Sequence, residues 1–229
     1  MKTKLILIEG ETRELIQQAA KQVERIVNHR GVTAVRVKEV EGSLLNLSRL
    51  AHFTESEYEE LLLNEPSFAP MIIRESMTIG KHRYIDYEIP TLQASLPKSL
   101  MDQLKAHATF QFPFERHIEI VEERFESFVH KVASETDSLY IVEAAMILAP
   151  LHYASLQPTL PETKLVDYVQ RLDAILAPLQ PWLIYIGMME SEQDRNLYGA
   201  LQLNKVRVSA LNDEPIDGDD LEELLAYIK

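Results

Sequence analysis

The chain has 229 residues, 46% apolar and 26% charged, a balance that suits a globular core and excludes a disordered chain. Its 36 acidic residues outnumber 23 basic ones, for a formal net charge of −13, and no compact Lys/Arg run offsets the excess. Nucleic acid, whose affinity rests on cations neutralising phosphates, is therefore not an expected partner. Cysteine is absent, which removes disulfides, thiolate zinc sites and a cysteine nucleophile and fits a cytoplasmic location.

The first apolar stretch, "KLILIEG", is ended by Glu9 too soon for a signal peptide. It reads instead as a strand over residues 3–9, buried on both faces as in a parallel sheet. Residues 12–29 follow as a helix, with Leu15, Ile16, Ala19, Ala20, Val23, Ile26 and Val27 on one stripe. Gly31 stops it, and the β-branched "VTAVRVKEV" predicts a second strand, parallel to the first.

A looser stretch, "EGSLLNLSRLAHF", leads to a short helix on "TESEYEELLLN", where Thr54 and Glu57 form a capping box. "MIIRESMTIGKHRYIDYEI" reads as two strand-like runs turning at Gly80-Lys81, a β-hairpin within an insertion at about 66–92. Residues 97–108 and 114–134 read as helices, the second striped by Ile118, Val121, Phe125, Phe128, Val129 and Val132.

"SLYIVE" at 138–143 is another buried strand, followed by apolar, partly helical residues up to Tyr153. Glu143, Pro150 and His152 interrupt this region, so it predicts no membrane span. A helix at 162–177, a strand at 181–187, a short helix at 190–200, a strand at 205–210 and a final helix complete the chain. The pattern predicts one α/β domain over 1–229: a three-layer, doubly wound, mostly parallel sheet of five strands with the hairpin added.

The strand–"IEG"–helix start, "LAHFTESEYEELL", "ERHIEIVEERFESF", "LYIVEA" and "YVQRLDAILAPLQPWLIYI" together resemble P-loop nucleoside- and nucleotide-kinase-like proteins. In that family a G-x-x-x-x-G-K-[ST] loop follows the first strand and cradles the nucleotide phosphates. Here Gly10 alone remains, and Glu11-Thr12-Arg13-Glu14 fills the place. Acids at that helix start complement the helix dipole but repel a phosphate. The resemblance also implies an arginine-bearing lid between the last two strands. Only "MMESEQDRNLYGALQLN" stands there, with Arg195 as its single arginine.

The resemblance thus implies a degenerate kinase-like protein that binds neither ATP nor Mg²⁺ and acts as a binding or regulatory module for a small molecule or protein. A phosphotransferase with a non-standard ATP site is one alternative. Another is a nucleotide-independent enzyme built on strand-end carboxylates: Glu9, Glu41 and Glu143 all fall at predicted strand ends, where such sheets bind ligands. A converging set would raise one carboxyl's pKa or hold a cation. Arg116 and Arg124 lie on a helix resembling the kinases' substrate-side helix and are candidates to meet an anion, with Arg124 also readable as part of a charged face beside Glu122 and Glu123. The seven histidines show no ligand spacing, so no metal site is expected.

Overall fold

The computed structural model describes residues 3–10, 12–37, 45 and 49–186, and the backbone of 204–208. In chain order these residues form β1 (Leu5–Gly10), α1 (Arg13–His29), β2 (Thr33–Val37), β3 (Leu50–Phe53), α2 (Glu55–Asn64), α3 (Ala69–Glu75), β4 (Ser76–Ile79) and β5 (His82–Asp86). There follow α4 (Pro90–Ser95), α5 (Lys98–Ala106), α6 (Phe114–Ser134), β6 (Ser138–Glu143), α7 (Leu148–Leu156), α8 (Glu162–Leu176), β7 (Trp182–Ile186) and β8 (Asn204–Val208). The chain divides into two compact units, Met1–Leu45 with Phe128–Lys229, and Asn46–Ser127. The insertion expected at about 66–92 lies inside the smaller unit, which begins earlier and ends later.

The larger unit holds a parallel sheet in the order β2-β6-β1-β7-β8. β1 sits in the middle because Leu5 to Ile8 are apolar on both faces, and all six of its residues are buried. One face packs on α1: Ile16, Ala19, Ala20, Val23 and Val27 meet Ile6, Ile8, Leu139, Ile141, Trp182, Ile184 and Ile186. Each Ile, Leu and Val side chain of this set contributes about 1.5–3 kcal/mol when fully buried. On the alternate face of β6, Tyr140 meets Phe128 of α6 edge-on, with ring centroids 5.6 Å apart. From the adjacent strands β6 and β1 the chain departs in opposite directions along the sheet, from β1 past β6 to β2 and from β6 past β1 to β7.

The smaller unit carries an antiparallel sheet in the order β3-β5-β4. Its β4–β5 hairpin turns at Gly80-Lys81 as expected, with Gly80 at φ 56°, a left-handed conformation suited to glycine. Thr54 and Glu57 cap α2 reciprocally. Two expectations are corrected. Residues 69–75 form helix α3, because Pro70 in the first turn opens a helix that the run Met71-Ile72-Ile73 obscures. The stretch Leu50–Phe53, read as irregular, is strand β3, buried throughout against β5. The expected helices at 190–200 and at the C-terminus lie outside the described residues.

Candidate functional site

Glu9 ends the central strand and is fully buried. Strand alternation puts it on the face opposite Ile8 and α1. Its Oε1 accepts from the amide of Met146 at 2.5 Å and its Oε2 from that of Leu148 at 3.1 Å. These amides belong to the turn between β6 and α7, where Ala144 takes the left-handed φ of 56°. For a residue with a Cβ that conformation costs roughly 1–2 kcal/mol, which the bonds to Glu9 offset. Burial pushes the Glu9 carboxyl up to about 7, while the amides of residues 145–148 act in the opposite direction.

The other helix start at this edge is also satisfied from within. The Thr12 hydroxyl accepts from the amide of Leu15 at 3.3 Å and caps α1. Gly10 has a packing reason for being glycine, since a Cβ there would lie 2.5 Å from the carbonyl oxygen of Ile186 in β7.

Glu143 does not join Glu9. It pairs with Ile8 in the sheet register and so faces α1, where its Oε1 accepts from Nε of Arg36 in an ion pair. Both side chains are nearly sealed from solvent. Arg36 also reaches the carbonyl of Gln17 at 3.4 Å and Glu24 at 4.0 Å. The expected convergence of strand-end carboxylates is thus not formed by Glu9 and Glu143, which turn to opposite faces. Glu41 and Arg195 lie outside the described residues.

The smaller unit brings together side chains that the sequence leaves scattered. In the β3–β5 register His52 stands opposite Tyr84, and His82 lies two residues before Tyr84 on the same face. The two imidazoles are diagonal neighbours, with centroids 4.4 Å apart. The stripe Arg116, Glu119, Ile120, Glu123 and Arg124 of α6 faces them at helical spacing. Glu123 contacts Nδ1 of His82 and accepts from the backbone amide of Lys81 at 3.1 Å. A Cβ at position 80 would press on the Glu123 side chain, which would have to move aside.

Arg116 binds Glu57 through two nitrogens, at 2.9 and 2.6 Å, and lies 4.0 Å above the Phe112 ring. Its Nη2 also reaches Nδ1 of His52 at 3.4 Å. His52, Thr54, Lys81, His82, Glu115, Arg116, Glu119 and Ile120 line a pocket of about 530 Å³.

Electrostatics here follow from burial. Desolvation first, then the neighbouring His82, Arg116 and Arg124, push His52 down to about 3, so it is neutral at pH 7. Burial alone would raise Glu57, but the bonds from Arg116 and Thr54 outweigh it and hold the carboxyl at about 2. Arg124 is not on a charged surface: it is fully buried, 5.1 Å from the Tyr84 ring, and burial lowers it to about 10. Among the described residues no group of three or more His, Asp or Glu side chains is arranged to hold a metal ion. Nor is any helix there long and apolar enough to cross a membrane. The chain matches no protein-family model and no curated protein.

Proposed function

We propose that the chain is a kinase-like protein, its larger unit a three-layer doubly wound sheet, that performs no ATP-dependent phosphoryl transfer and works as a cytoplasmic binding or regulatory module. One observation carries this reading. At the sheet edge where a nucleotide phosphate would seek backbone amides, the amides after β6 are occupied by the protein's own carboxyl group, that of Glu9. Thr12 caps α1 beside it, and Gly10 answers to the close approach of β7 rather than to a phosphate. Phosphoryl transfer needs positioned cations around the phosphates, and Arg36, at this end of the sheet, is committed to Glu143. Neither ATP nor Mg²⁺ serves as cofactor on this reading. The partner is a small molecule or a protein, and the excess of negative charge argues against nucleic acid.

Titration calorimetry with MgATP tests it. A ligand at a hundredfold its Kd stabilises the native state by about 2.7 kcal/mol, so thermal unfolding provides a second readout. The expected result is no heat and no shift at millimolar MgATP. A micromolar Kd would overturn the reading.

A further inference from the structure

The outward side of α2 carries residues that the fold itself does not call for. The helix is anchored by Tyr58 and Leu61, which join Ile72 of α3 in the core of the smaller unit. Two of its acids are also accounted for: Glu55 pairs with Arg83, and Glu57 with Arg116. One turn on, Glu59 and Glu60 precede Leu63 by four and three residues, so the three share one side of the helix. That side faces water. Leu63 is 80% exposed, and among the described residues no ion pair engages Glu59 or Glu60.

These choices bring α2 little stability. Glutamate or lysine at 63 would serve the helix about as well as leucine. Acids are favoured in the first turn, which Glu59 and Glu60 lie beyond, and Glu65 at the C-cap opposes the helix dipole. A lone exposed leucine is ordinary, but Leu63 is not alone. Of the three large apolar residues exposed on the described chain, two fall on the consecutive helices α2 and α3, Leu63 and the 55% exposed Ile73. Leu62, Phe68 and Met71 in the same stretch are only partly covered by the core.

Charge selects the occupant. A second copy brings a net charge of −13 with it, and an anionic lipid surface is repelled in the same way. The chain's own "DEPIDGDDLEE" at 213–223 is acidic too. The complement of this side is an apolar residue to cover Leu63, with Lys or Arg around it to meet Glu59 and Glu60. We propose that the outer side of α2, centred on Glu59, Glu60 and Leu63, docks a basic amphipathic segment of another protein. It belongs to the smaller unit, so the inference stands whether or not MgATP binds the larger one.

A labelled amphipathic peptide of Leu and Lys, titrated into the full chain, tests it. A Leu/Glu peptide of the same length and vesicles rich in phosphatidylserine are the comparisons. The Leu/Lys peptide should bind saturably, weaken as salt rises, and shift the amide resonances of residues 59–63. Leu63→Ser should weaken it about tenfold, and Glu59→Gln with Glu60→Gln severalfold. Glu14→Gln with Asp137→Asn removes the same charge from the larger unit and should leave binding as in wild type. All five positions are exposed, so none of these variants disturbs a core. The inference fails if no saturable binding appears at hundreds of micromolar, or if Leu63→Ser binds as wild type does. It fails equally if the Glu14 and Asp137 variant loses as much as the Glu59 and Glu60 one. Preference for the Leu/Glu peptide or the vesicles, or a dimer that Leu63→Ser disperses, would give this side another occupant and overturn it too.

Discussion

Oε1 of Glu9 and the amide nitrogen of Met146 lie 2.5 Å apart, although 137 residues separate them in the chain. The bond holds a carboxyl whose pKa is about 7 when folded against an ordinary 4.5. Between those values the folded protein keeps a proton that the unfolded chain has released, so this group's contribution to stability falls as pH rises. The total is on the order of 3 kcal/mol. Urea unfolding of wild type and Glu9→Gln, compared from about pH 5 to about pH 8, should show the wild type losing ground to the variant as pH rises. A constant difference across that range would show that Glu9 titrates as an ordinary carboxyl.

The Arg36–Glu143 pair should behave as a buried ion pair. Removing one partner strands the other charge, so Arg36→Met or Glu143→Leu alone should cost about 3–5 kcal/mol. The double variant should recover most of that loss, because neither charge is left uncompensated. A double-mutant cycle in denaturant measures the coupling, and additive single losses would contradict the pairing.

Gly10→Ala places a Cβ 2.5 Å from the carbonyl oxygen of Ile186. Since that atom is strand backbone, β7 must shift, at a cost of about 1–3 kcal/mol. The thermal midpoint should fall accordingly. An unchanged midpoint would mean that β1 and β7 separate easily.

Two buried histidines should weaken the fold in acid. His117 donates from Nδ1 to the carbonyl of Thr109 at 2.9 Å, and burial lowers it to about 4. His52 lies at about 3. In the unfolded chain both take up protons near pH 6.5, which the folded protein refuses. Their contribution is therefore complete above about pH 6.5 and is lost as pH falls toward the folded values. His117→Phe should flatten the stability profile between about pH 6.5 and 4 relative to wild type. A profile parallel to the wild type's would show that His117 protonates freely in the native state.

The elements with strong periodicity were legible in the sequence: β1, α1, α6, β6 and α8 fall within a residue or two of their expected bounds. Strand β3 was not, because four residues carry no readable period, and their burial comes from pairing with β5. Helix α3 was hidden because Met71, Ile72 and Ile73 suit a strand locally. Arg36 and Glu143 were separately visible as residues, but their contact depends on β2 lying beside β6 rather than beside β1. The His52–His82 pair had no local signal at all. Ligand-spacing rules scan along the chain, and these rings meet only across an antiparallel register, where Gly80 lets Glu123 come close.

The strand order also governs how this chain can be made. β1 lies between β6 and β7, so its first partner arrives only when residues 138–143 have been synthesised, and its second only at 182–186. At about 5–20 residues per second, the segment "LILI" therefore waits roughly 10–40 s after its own synthesis for its second neighbour. Until residues 138–143 emerge it is an apolar strand with both edges unpaired, and one edge stays open until 182–186 follow. The antiparallel sheet of Asn46–Ser127 is completed meanwhile from residues close together in sequence, contacts that form quickly. Nascent chains truncated between the two units should accordingly expose the first strand, making it the segment most open to a chaperone during translation.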